Sequence, residues 1–202
     1  MIDYVATFIF FFAVIDPIGT VPVFIAVTTG FDATAKRKIA IQATLVSAGI
    51  LLFFIAVGEV ILTAIDIPLP AFQIAGGLVL FFFAMTMIFG DSKPEEELKM
   101  ASNATDTAIF PLAVPSIASP GAMLAAVLLT ENNQYDVVEQ VQTAITMLAV
   151  LLVVLVLMLL AGRVHGLIGN GGASIVSRVM GLILASVAVN NVLSGITEYF
   201  AL

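Results

Sequence analysis

Apolar residues run along this chain in long blocks, and each block is long enough to cross a bilayer as a helix. Spans are predicted at Val5–Val27, Ile39–Ile65, Ala71–Phe89, Thr107–Leu129, Thr143–Ala161 and Val176–Phe200, since about 20 apolar residues cover the hydrocarbon core. The second and fifth are the purest runs of Leu, Val, Ile, Ala and Phe. Polar or Gly/Pro-containing stretches separate them: Thr28–Lys38, Asp66–Pro70, Gly90–Asp106, Thr130–Gln142 and Gly162–Ile175. All are short, which predicts a single all-α polytopic membrane domain of six transmembrane helices, with no soluble domain between spans. The first span lacks a basic n-region and a clear small-x-small cleavage site, and its apolar stretch is too long for a signal peptide, so it is expected to persist as a helix.

Composition agrees. Of 202 residues, 61% are hydrophobic and 10% charged, where soluble domains carry about 25% charged residues. A water-facing surface cannot be built from that inventory. The absence of cysteine excludes a disulfide scaffold, the apolar content excludes a disordered chain, and a net charge of −7 speaks against nucleic-acid binding.

The seven cations give an orientation. Lys36, Arg37 and Lys38 follow span one, Lys93 and Lys99 follow span three, and Arg163 and Arg178 flank the loop after span five. Cytoplasmic loops collect Lys and Arg, so these loops are expected inside and both termini of the multi-pass chain outside. Tyr4, Tyr135 and Tyr199 then all fall on the outer boundary.

Two segments break the apolar pattern where Pro should be costly: Ile15-Asp16-Pro17-Ile18-Gly19-Thr20-Val21-Pro22 in span one, and Pro111 to Gly121 in span four. Asp16-Pro17 matches Ser119-Pro120 at an offset of 103 (119 less 16), and Gly76 and Gly90 match Gly181 and Gly195 at 105. Three spans per half is an odd number, so the halves would run in opposite senses. The expectation is two inverted three-helix repeats, about 1–92 and 104–202, joined by a cytoplasmic linker at about 90–106, with helices 1 and 4 broken near the midplane. Pro17 and Pro120 lack an N–H, while Gly19 and Gly121 let the backbone bend or approach a ligand. Asp16 and Ser119 each read as an N-cap followed by Pro at the first helical position. Two half-helix N-termini near the midplane would suit an anionic group, and nearby carbonyls an ammonium or cation. The competing account is a pair of Pro kinks satisfied by neighbouring helices.

Asp16 is the one carboxylate placed deep in a span, about 16 Å along the first helix by rise. Proton coupling and a purely structural cap are both open readings of it. Glu59 reads as an outer vestibule residue or a solvated interfacial acid. Asn190 and Asn191 lie deep in span six, and the repeat favours Asn190 as the site residue. Gln73 and Arg178 correspond near the starts of spans three and six, where Arg178 is expected to snorkel. Gly76, Gly77, Gly181, Ala185 and Ser186 read as helix-packing positions, and the glycines from Gly166 to Gly172 as a flexible loop. No phosphate-binding glycine motif is present. Glu95, Glu96 and Glu97 read as a solvated loop face.

These residues resemble the MarC family of inner-membrane proteins over almost the whole chain. The resemblance rests on Asp16-Pro17-Ile18-Gly19-Thr20-Val21-Pro22-Val23-Phe24, Gly58-Glu59, Leu69 to Gly77, Pro111-Leu112-Ala113-Val114-Pro115 with Ser119-Pro120-Gly121-Ala122, and Arg178 to Leu184. It implies six helices in two inverted repeats, a site between the broken first and fourth helices, and small neutral amino acids such as glycine or alanine as substrates, with proton or sodium coupling. The chain departs from the family's usual residues at Asp16 (commonly Asn), Ser119 (Gly), Gln73 (Arg) and Asn190 (Gln). An acid in place of Asn bears on coupling and on how a substrate carboxylate is received.

The leading expectation is a non-enzymatic secondary transporter of small neutral amino acids or similar metabolites. Its binding residues would be Asp16, Pro17, Gly19, Thr20, Ser116, Ser119, Pro120, Gly121 and Asn190, with Asp16 as coupling candidate and no cofactor or metal. Expected partners are the substrate, H+ or Na+, the lipid bilayer and, left open, a second copy of the chain. A non-transporting structural or stress-related subunit is the alternative. An intramembrane hydrolase lacks parts: His165 is the only histidine and lies at a helix end.

Overall fold

The computed structural model describes residues 3–89, 107–132 and 134–200. The linker at 90–106, with Lys93, Lys99 and Glu95–Glu97, lies outside the described residues. Among the described residues, eight helical segments follow in order: α1 (Tyr4–Ile15), α2 (Pro17–Val27), α3 (Ala33–Ala64), α4 (Leu69–Phe89), α5 (Ala108–Ile117), α6 (Pro120–Leu128), α7 (Val137–Leu159) and α8 (Ala161–Phe200). Among the described residues, five stretches are long and apolar enough to cross a membrane: α1 with α2, α3, α4, α7, and Ser174–Phe200 of α8. The pair α5–α6, bent by 55°, makes a sixth if it crosses as one span. The protein is an all-α polytopic membrane protein.

Helix ends follow polar caps rather than the limits of the apolar blocks. Asp32 accepts the Ala35 N–H at 2.9 Å, so α3 begins before its apolar stretch and carries Lys36, Arg37 and Lys38 on its first turns. Asp136 and Glu139 form a reciprocal capping box, with bonds of 2.8 and 3.2 Å, which starts α7 at Val137. Two predicted loops are therefore shorter than their polar composition suggests. A third, Gly162–Ile175, is helical, and α8 runs through it with one bend at Gly169 (φ 63°, ψ 176°), a conformation glycine accepts freely.

Span one forms the centre. Of its most apolar window 61% is buried inside the molecule, against 22–33% for the other four single-helix spans. Span four is buried along most of both its pieces, and α6 touches α1. Around this pair, α3 packs on α7 and α4 on α8. The α4–α8 pair is antiparallel and close because glycine lines it. A Cβ on Gly77 would stand 2.8 Å from Val192 and one on Gly181 2.9 Å from Ile88, while one on Gly195 would meet Ile74 at 2.8 Å. Large apolar side chains such as Phe82, Leu152 and Leu182 project from the outside of the bundle, as lipid contact requires.

Candidate functional site

Both breaks occur at the residues the prolines mark. Asp16 stands alone between α1 and α2 in the left-handed conformation (φ 50°, ψ 67°), which Asp and Asn tolerate better than other side chains. Its N–H donates to the Phe12 carbonyl at 3.0 Å and completes α1. Its own carbonyl accepts from the Thr20 N–H and hydroxyl, each at 3.0 Å, and begins α2. Carboxylate Oδ1 accepts the Gly19 N–H at 2.9 Å, and Oδ2 accepts from the Ser177 hydroxyl of α8 at 3.2 Å. Pro17 occupies the first helical position, where no N–H is needed.

Gly19 is dictated by that carboxylate. A Cβ there would overlap Asp16 Oδ2 and stand 2.8 Å from Ser177 Oγ. The helix end, the acid and α8 therefore meet only because residue 19 has no side chain.

The break in span four is wider. Phe110 and Val114 adopt extended backbone (φ −122° and −133°), the conformation favoured before proline, and each is followed by Pro across a cis bond. The α5 segment is a loose, wide-turn helix ending with the Ala118 N–H on the Ala113 carbonyl five residues back, at 2.9 Å. Ser47 of α3 donates to the same carbonyl at 3.3 Å. Ser119 then caps α6: its Oγ accepts the Ala122 N–H at 3.1 Å and donates to the Val14 carbonyl in the last turn of α1 at 3.0 Å. Gly121 lies against Leu80 and Val14, 2.5 and 3.7 Å from where its Cβ would be.

The two breaks are thus in direct contact and differ in the group that caps them. The α2 N-terminus already holds a carboxylate of its own, whereas the α6 N-terminus is capped by a neutral hydroxyl and keeps its partial positive charge. Asp16 is 1% exposed and Ser119 fully buried.

Among the anticipated site residues, Asp16, Pro17, Gly19, Thr20, Ser119 and Gly121 line these breaks and are buried. Ser116 is also buried on α5, and its Oγ has no hydrogen-bond partner among the described residues. Such a group is unusual inside a protein and is available to a ligand or an ordered water. Pro120 is exposed. Asn190 is not with the others: it is exposed on the outward face of α8, on a different side of the helix from buried Leu184 and Ala188. Adjacent helical positions point about 100° apart, and its neighbour Asn191 turns inward, with a buried Nδ2 that has no partner among the described residues. Glu59 accepts the Asn132 N–H at 2.8 Å and ties the α6–α7 connection to α3. Ser177 and Ser47 went unnoticed in the sequence. No local pattern marks either, since their partners Asp16 and Ala113 lie 161 and 66 residues away.

The family model described as MarC family integral membrane protein matches residues 1–200. A UPF0056 membrane protein of Archaeoglobus fulgidus is 31% identical, covering 96% of this chain and 92% of its own length. UPF0056 membrane proteins of Methanocaldococcus jannaschii (31%, covering 96% and 95%) and Bacillus subtilis (30%, covering 97% and 95%) are similar over the same extent. No solved structure matches. The chain therefore belongs to the MarC family of integral membrane proteins.

Proposed function

We propose that the protein is a secondary transporter of small neutral amino acids or similar small metabolites, coupled to H+ or Na+ and working by alternating access between two inverted repeats. The observation that carries this reading is the meeting of two broken helices inside the bundle, one capped by an acid and the other by a neutral hydroxyl. An amino acid presents one group of each sign. Its carboxylate would be received at the α6 N-terminus near Gly121, where no resident charge opposes it, and its ammonium would face Asp16 and the carbonyls ending α1. Thr20, Ser116 and Ser119 complete the polar lining.

The pattern of neighbours supports the repeat. Spans one and four touch, as do two and five, and three and six, which is the set of like-with-like contacts a two-fold axis in the membrane plane produces. Gly181 packs near Ile88 and Gly77 near Val192, a reciprocal pair at an offset of 104 (181 less 77, 192 less 88), one residue from the offset of 105 read in the sequence. The protein sits in the plasma (inner) membrane, and the distribution of its cations supports an orientation with both termini outside. Asp16 is the coupling residue because protonation or cation binding there changes the charge that faces the substrate.

Counterflow tests the site without assuming a coupling ion. Liposomes containing the purified protein are loaded with unlabelled glycine, alanine or serine and diluted into trace label. Transient accumulation of label above its equilibrium level supports the proposal. Label that never exceeds protein-free liposomes, with the protein shown to be folded, opposes it.

A further inference from the structure

Asn190 occupies an unusual place for a carboxamide. It lies ten residues from Phe200, about 15 Å by helical rise and so close to half the depth of a bilayer core. Its side chain is exposed between Val189 and Leu193, which are 46% and 59% exposed on the lipid-facing side of α8. One turn on, Ser194 is exposed on the same face. The other two hydroxyls of this face satisfy themselves: Ser186 donates to the Leu182 carbonyl and Thr197 to the Leu193 carbonyl, each at 3.0 Å. Asn190 and Ser194 have no hydrogen-bond partner among the described residues. Acyl chains offer neither donor nor acceptor at this depth, so nothing in the bilayer itself can satisfy the amide.

We infer that this face of α8 is a homodimer interface, with Asn190 of one copy hydrogen-bonded to Asn190 of the other and Ser194 beside it. The occupant follows from the chemistry of the group. A carboxamide carries both donors and an acceptor, so it is complementary to itself across a two-fold axis, the symmetry of an isologous dimer. Two copies inserted in the same sense present Asn190 at the same depth, and the axis then lies along the membrane normal. A single Asn in an otherwise apolar helix pair also sets register, because any sliding leaves two amides unpaired. Asp16 and Ser177 face the interior of each copy, so the interface leaves both sites separate.

The chain has no cysteine, so single-cysteine variants of the full protein in lipid vesicles report the interface directly under mild oxidation. Ser186→Cys, one turn from Asn190, is expected to form a covalent dimer. Leu152→Cys, 60% exposed on the lipid face of α7, serves as the reference and should cross-link only by collision. Adding Asn190→Leu to Ser186→Cys should lower the dimer yield about tenfold, the equivalent of about 1.4 kcal/mol. Adding Asn190→Gln, which keeps the amide, should leave most of it. Asn190→Leu places an apolar side chain against lipid and does not threaten the fold, and unchanged thermal unfolding confirms that. Equal cross-linking at Ser186→Cys and Leu152→Cys, a dimer indifferent to Asn190→Leu, or cross-linking only to a different protein would each overturn the inference.

Discussion

The Ser119 hydroxyl donates to the Val14 carbonyl at 3.0 Å, joining the break in span four to the end of α1 across 105 residues of chain. The same oxygen accepts the Ala122 N–H, so one side chain satisfies a helix end in each half of the protein. Ser119, Val14 and Ala122 are fully buried, so neither group has water as an alternative partner in this conformation. Removing the hydroxyl with Ser119→Ala should cost about 1–3 kcal/mol, the penalty for stranding buried polar groups. Thermal or denaturant unfolding of the purified protein measures this, with Thr63→Ala, whose exposed hydroxyl donates to the Glu59 carbonyl of its own helix at 2.9 Å, as a comparison expected to stay within about 0.5 kcal/mol.

Gly19→Ala tests the closeness of Asp16 to the helix it caps. The added methyl would overlap the carboxylate and press on Ser177, and overpacking of this kind costs about 1–3 kcal/mol. Gly49→Ala on α3, where a Cβ meets nothing within 4 Å, should be neutral or slightly stabilising in the same assay.

Asp16→Asn separates charge from capping. Asn accepts the Gly19 N–H and tolerates the left-handed backbone, so unfolding should change little. Uptake should lose its dependence on pH or sodium. A variant with the wild-type ion dependence would reduce Asp16 to a cap.

Gly181→Leu should part α4 from α8, since even a Cβ would stand 2.9 Å from Ile88 and 3.1 Å from the Ala84 carbonyl. The predicted result is loss of the folded monodisperse species on size exclusion. Gly162→Leu, with open space around it, should behave as wild type.

The sequence made the breaks legible because proline acts locally. Pro17 and Pro120 remove an N–H wherever they fall, and the polar residue before each has little choice but to cap. Helix starts were less legible, because Asp32 and Asp136 extend α3 and α7 through polar residues that resemble loop. The choice between Asn190 and Asn191 depended on which way α8 is rotated, and that is set by Gly77, Gly181 and Gly195 packing against α4 rather than by any local pattern. Ser177 acquired its role only through the fold, since its partner Asp16 is 161 residues away.

Gradient-driven uptake bears most directly on the claim that the paired breaks form a transport site. Wild type and Asp16→Asn are reconstituted side by side, and labelled glycine, alanine and serine are offered under an imposed proton or sodium gradient. The account predicts saturable uptake by wild type that collapses when the gradient is dissipated, and uptake by Asp16→Asn that no longer responds to it. Folded wild-type protein with no saturable flux of any of the three, under either gradient, would contradict it.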